Sequence, residues 1–136
     1  MDILRGFYLY LICLGTFLAI DFTWLGLVAR EFYRRELGEL MSDSVNWTAA
    51  FVFYLLFVAG IIVFVVNPAV QKSSLGWSIG AGFLFGVIAY ATYDLTNLAT
   101  LAGWSLKVTV VDMIWGGVLS ATVSLVGYLV GGRFLA

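Results

Sequence analysis

Residues 75–98 read LGWSIGAGFLFGVIAYATYDLTNL, and Asp94 is the sole charge among them. A bilayer core of about 30 Å is crossed by about 20 apolar residues in a helix, so this run is long enough to span one. Three other stretches pass the same test: Gly6–Val28, Thr48–Val66 and Val108–Val130. The first is not expected to be a cleaved leader, because its apolar run is too long, Asp21 interrupts it and no A-x-A pattern follows. The pattern predicts an all-α integral membrane bundle of four transmembrane helices. It is expected to form one transmembrane domain over residues 1–136, with both termini on one side.

Composition agrees. Of 136 residues, 62% are hydrophobic and 11% charged, and the mean hydropathy is +1.03. A soluble domain carries roughly a quarter charged residues. There is no His, and there is one Cys. His-ligated haem, a Cys/His zinc site, a Ser-His-Asp triad and a disulfide framework are therefore excluded. A net charge of −1, with seven basic residues spread along the chain, argues against nucleic acid as a partner. No cofactor is expected.

The connections differ in character. In residues 29–47, Tyr33, Leu37, Leu40 and Met41 form one apolar stripe amid charged residues, the pattern of a short amphipathic interfacial helix after the first span. Asn67-Pro68 reads as a helix stop, and Gly103 marks a tight turn. Arg5, Lys72 and Arg133 lie on one side of the membrane and Arg30, Arg34, Arg35 and Lys107 on the other. That balance tilts only slightly towards cytoplasmic placement of the first and third connections.

The polar residues within the spans carry the functional information. Asp21 stands about 10 Å, at 1.5 Å per residue, from the end of the first span. Asp94 lies near the end of the third span and Asp112 near the start of the fourth. All three are thus expected at similar depth in one leaflet, while the uncharged second span is expected to face lipid. Tyr90, Tyr93, Asp94 and Asn97 form a polar aromatic stripe at helical spacing. Asp21-Phe22-Thr23-Trp24-Leu25-Gly26 and Asp112-Met113-Ile114-Trp115-Gly116-Gly117 both fit D-x-x-W-x-G. The first also shares D-x-T-x-L with Asp94–Leu98, which would suit a duplicated two-helix unit. An ionisable group inside a span costs about 2.5–3.5 kcal/mol on insertion scales, so function is its default explanation. The plainer alternatives are a protonated structural acid hydrogen-bonded to a neighbouring helix or, for Asp112, a helix cap.

Other features read as packing. Trp47, Trp77 and Trp104 sit at span ends, as in an interfacial belt. Gly15-xxx-Ala19, Gly82-xxx-Gly86 and Gly127-xxx-Gly131 are small-residue ridges. Asp112, Gly116, Ser120 and Ser124 recur every four residues as a tightly packed face. Cys13 is expected to be buried and inert.

Phe32–Gly38, Tyr90–Leu101 (YATYDLTNLATL) and Val111–Gly116 (VDMIWG) resemble an uncharacterised bacterial family of small, predicted four-helix membrane proteins, a domain of unknown function. The resemblance covers nearly the whole chain. It implies a multi-pass protein of the bacterial inner membrane and brings no catalytic residues.

Chemistry leaves three classes. The first is a carboxylate cluster that binds a proton or cation, coupled to transport of a small or lipid-like solute. The second is a membrane enzyme acting on lipid or isoprenoid, with the acids as general acid and base. The third is a non-catalytic lipid- or partner-binding protein. The residues expected to bind the proton, cation or ligand are Asp21, Trp24, Tyr90, Tyr93, Asp94, Asn97, Asp112 and Trp115, and no catalytic residue is singled out. No metal site is expected, because the chain lacks the dense Asp-rich runs of diphosphate chemistry. Membrane lipid is the expected surrounding partner, and the glycine ridges offer faces for a homodimer.

Overall fold

The computed structural model describes residues 3–134. Four helices are long and apolar enough to cross a membrane: α1 (Ile3–Val28), α3 (Trp47–Gln71), α4 (Leu75–Thr100) and α5, whose span is Leu106–Arg133 within the helix Leu106–Phe134. The short α2 (Arg30–Leu37) and a 3-10 turn (Gly38–Leu40) follow α1. Among the described residues there is no strand.

Local chemistry sets the helix ends. Asn46 accepts a hydrogen bond from the Ala49 N–H at 3.1 Å to open α3, and Ser74 accepts one from the Trp77 N–H at 3.0 Å to open α4. Gly103, at φ +79°, supplies the left-handed residue of the α4–α5 turn. Ser105 then accepts from the Val108 N–H and donates to Glu36 Oε2 at 3.0 Å, which ties that turn to α2.

The helix stop expected at Asn67-Pro68 is absent, and the second span runs on to Gln71. A wide π-helical turn (Ile62–Val66) precedes the proline, and the Asn67 N–H bonds to Ile62 O, five residues back. Pro68 therefore sits in the first turn of a fresh α segment, Asn67–Gln71, where its missing N–H costs little. A second π turn (Trp24–Val28) ends α1, closed by a 2.7 Å bond from the Ala29 N–H to Trp24 O. It re-aims the chain into α2.

The uncharged second span is not the lipid-facing member. Its apolar window is 39% buried, as against 17% for α1 and α4. Tyr54, Phe57, Val58, Ile61, Ile62 and Val66 form the core with Leu9, Cys13 and Phe17 of α1 and Leu119 and Val123 of α5. The Phe17 ring lies 5.2 Å from Tyr54 and 5.5 Å from Phe57. Absence of charge had suggested exposure to lipid, but aromatic bulk on this helix fills the bundle instead.

Helix α4 meets the bundle along one line: its buried residues are Ser78, Gly82, Gly86 and Asp94, at multiples of four. Opposite them on α5 stand Gly116, Ser120 and Ser124, all buried. A Cβ on Gly82 would lie 2.7 Å from Ser124 Oγ, and one on Gly86 would collide with the Gly116 carbonyl. Two four-residue ridges thus run antiparallel with backbones nearly touching, as small residues permit. Not every small-residue ridge is used: a Cβ on Gly15 would meet nothing within 4 Å. Gly86→Val should therefore lower thermal stability in detergent by about 3 kcal/mol, the upper end of overpacking costs. Gly15→Val should change it by less than about 0.5 kcal/mol, as for an open surface position. Equal melting temperatures for the two variants would contradict this packing.

Candidate functional site

Each four-residue ridge ends in an acid. Continuing from Gly86 through Tyr90 brings α4 to Asp94, and continuing backwards from Gly116 brings α5 to Asp112. The two carboxyl groups meet within hydrogen-bond reach. Asp94 is 0% exposed, and neither of its oxygens accepts a hydrogen bond from any donor. Asp112 is half-buried, and its Oδ1 accepts from the Tyr33 hydroxyl at 2.7 Å. That hydroxyl in turn accepts from Trp24 Nε1–H at 3.1 Å.

Asp21, on α1, is 5% exposed. Its Oδ1 accepts from Trp115 Nε1–H at 3.3 Å, and the Tyr54 hydroxyl of α3 lies within reach. Helices α1 and α5 run in opposite directions, since Cys13 lies beside Gly127 and Trp24 beside Trp115. The two indoles stack with centroids 4.3 Å apart and planes 9° from parallel. The paired D-x-x-W motifs are therefore used crosswise. Trp115 serves the acid of the other motif directly, and Trp24 does so through Tyr33.

These side chains border a cavity of about 500 Å³, within the range of small-molecule sites. Asp21 and Trp24 come from α1, Tyr33 and Leu37 from α2, Phe53 and Tyr54 from α3, Tyr90 and Tyr93 from α4, and Asp112 and Trp115 from α5. Trp104 closes one edge, with its ring 5.5 Å from Tyr93. Beyond the same indole pair lies a second hollow of about 380 Å³, bordered by Ala19, Ile20, Thr23 and Val28. Tyr90 of α4 thus shares the main cavity's wall with Asp21, Asp112, Tyr33 and Tyr54, one from each of the other four helices.

Six of the eight residues singled out in the sequence border the main cavity: Asp21, Trp24, Tyr90, Tyr93, Asp112 and Trp115. Asp94 lies behind Asp112, outside the lining. Asn97 is also outside it, one turn further along α4 beside Tyr93, because the stripe outruns the cavity near the helix end. Sequence reasoning missed Tyr33 and Tyr54. Tyr33 sits in the apolar stripe of α2, and Tyr54 sits in a span without charge. Neither position carries a signal distinguishing a hydrogen-bonding hydroxyl from packing.

Among the described residues, none of Arg30, Arg34, Arg35 and Lys107 forms an ion pair with Asp21, Asp94 or Asp112. Among the described residues, no three Asp, Glu or Cys side chains converge closely enough to hold a metal ion.

The family described as "Predicted membrane protein (DUF2177)" matches residues 6–129, and the chain belongs to it. No curated protein and no solved structure matches the chain.

Two measurements test this geometry. Stacked indoles support one another by about 0.5–1.5 kcal/mol beyond their buried area. A double-mutant cycle of Trp24→Leu and Trp115→Leu on stability in detergent should show a coupling of about that size, and strictly additive losses would exclude the stack. Burial first, then the Asp112 charge, pushes the Tyr33 phenol above its ordinary value. The fold thus favours the neutral phenol. Its contribution is present below about pH 10, the unfolded value, and is lost as pH rises through the raised folded one. Tyr33→Phe should cost about 1–3 kcal/mol at neutral pH and flatten the alkaline fall in melting temperature. An identical alkaline decline in both proteins would contradict it.

Proposed function

We propose that this member of the predicted membrane protein family is a proton-linked carrier of a small or lipid-like solute. The solute occupies the cavity between α1, α2, α3, α4 and α5, and the proton is held between Asp94 and Asp112. One observation carries the reading: both Asp94 oxygens are sealed from solvent with no donor, while the Asp112 carboxyl stands within reach.

Two ionised carboxylates at that separation would repel, and each would lose its hydration without a cation in exchange. One shared proton removes the repulsion and turns it into a charge-assisted O–H···O bond. The proton then belongs to the pair and not to either acid alone. Asp112 has a second role, because it also borders the cavity and accepts from Tyr33 of α2. A solute that reaches Asp112 therefore meets the proton-bearing pair and the helix over the cavity at once. Around the pair stand Tyr33 from α2, Tyr90 and Tyr93 from α4, and Asp21 from α1 with Tyr54 of α3 behind it. None of them brings a positive charge.

The test is tryptophan emission against pH in lipid nanodiscs, with the stacked Trp24 and Trp115 as reporters. Wild type should show a pH-dependent change that Asp94→Asn removes while keeping its melting temperature, since the amide imitates the protonated acid. Asp94→Ala should lose about 1–3 kcal/mol, by leaving Asp112 without its partner. The same pH trace in wild type and Asp94→Asn would sink the proton-linked reading.

A further inference from the structure

We infer that the solute of the main cavity is a singly charged organic cation, an amphiphilic amine or quaternary ammonium, with Asp21 as its counter-charge. This rests on the reading of the cavity as a solute site and names the chemistry of its occupant.

Three features of the wall select that class. The first is its aromatic character: Trp24, Tyr33, Tyr54, Tyr90, Tyr93 and Trp115 all border one space. Aromatic faces carry negative quadrupole potential, and cages of such rings are a recurrent way to hold alkylammonium groups. The second is the charge at the wall. Asp21 and Asp112 both border the cavity, and no Lys or Arg does. An anionic solute would face two acids with nothing to balance it. The third is where the wall's donors point. Trp115 Nε1–H is committed to Asp21, Trp24 Nε1–H to Tyr33 and the Tyr33 hydroxyl to Asp112. A sugar-like solute needs many paired donors and acceptors, and three of the wall's donors are already engaged within the protein.

Asp21 and Asp112 divide the work. Asp112 is engaged with Asp94, whereas Asp21 has only neutral donors, from Trp115 and Tyr54, on hand. Asp21 is therefore the acid left for a ligand's charge. The apolar bulk of the cavity, with Phe53, Leu25, Leu37 and Ala89 in its lining, takes the hydrocarbon part.

The experiment compares benzyltrimethylammonium with neopentylbenzene, its uncharged isostere, in which carbon replaces nitrogen. Binding to the full chain in neutral-lipid nanodiscs is followed by calorimetry and by quenching of tryptophan emission. The cation should bind saturably and about tenfold or more tightly than the isostere. Asp21→Asn should weaken the cation about tenfold and erase most of the preference. If Asp21→Asn does not give a folded protein, Asp21→Ser, which also removes the charge, should erase most of the preference instead. Equal affinity for the two probes in wild type would overturn the cation inference while leaving the cavity as a solute site. Saturable binding of neither probe would overturn both. A preference that survives the loss of the Asp21 charge would overturn the assignment of the counter-charge.

Discussion

The near-contact of α4 and α5 at Gly86 and Gly116 is the constraint on which the site depends. With no side chain on either residue, the two backbones approach until any Cβ on Gly86 would collide with the Gly116 carbonyl. Helices held this closely and antiparallel keep their four-residue ridges in register for several turns. One turn beyond Gly86, Tyr90 packs against Gly116, and one turn further Asp94 meets Asp112. A bulkier seam would part the helices and separate the carboxyl groups. The acids are adjacent because the glycines are.

The second organising contact is the crossing of α1 and α5. The stacked indoles fix the mutual height of the two D-x-x-W motifs, so that each tryptophan serves the other motif's acid. The π turn at Trp24–Val28 has a part in this. It follows directly on Asp21-Phe22-Thr23 and redirects the chain so that α2 returns Tyr33 over Asp112. Polar groups in a bilayer core need partners from the protein itself, and Trp24, Tyr33, Tyr54 and Trp115 supply them to Asp21 and Asp112. Of the three acids, Asp94 is the one without a donor among the described residues, and that is the ground for the shared proton proposed above.

Much of this was legible in the residues. Four runs of apolar residues determine four spans because hydropathy over a helix length is a sum, insensitive to detail. The common depth of Asp21, Asp94 and Asp112 followed from counting residues to the span ends in a chain that alternates direction. The ladder Asp112, Gly116, Ser120 and Ser124 announced a close-packed face. What sequence could not give was pairwise. The ridges at Gly82 and Gly15 look alike, yet one packs on α5 and the other is open, since the partner decides. The second span was misplaced by its lack of charge: Tyr54, Phe57 and Ile61 suit a protein interior as well as lipid, and hydropathy cannot tell them apart. Pro68 misled because the widened turn that accommodates it has no sequence signature. Tyr33 and Tyr54 went unnoticed because a phenol is apolar or polar according to what faces it.

The central claim is that Asp94 and Asp112 share one proton within the bundle. Isotope-edited infrared spectroscopy tests it most directly, on protein in lipid at neutral pH with aspartate carboxyl carbons labelled. The account predicts a C=O stretch from a protonated, hydrogen-bonded carboxyl that Asp94→Asn removes and that Asp112→Asn shifts, since the sealed Asp94 then keeps its proton without its partner. A spectrum in which every labelled aspartate gives only carboxylate bands would contradict it.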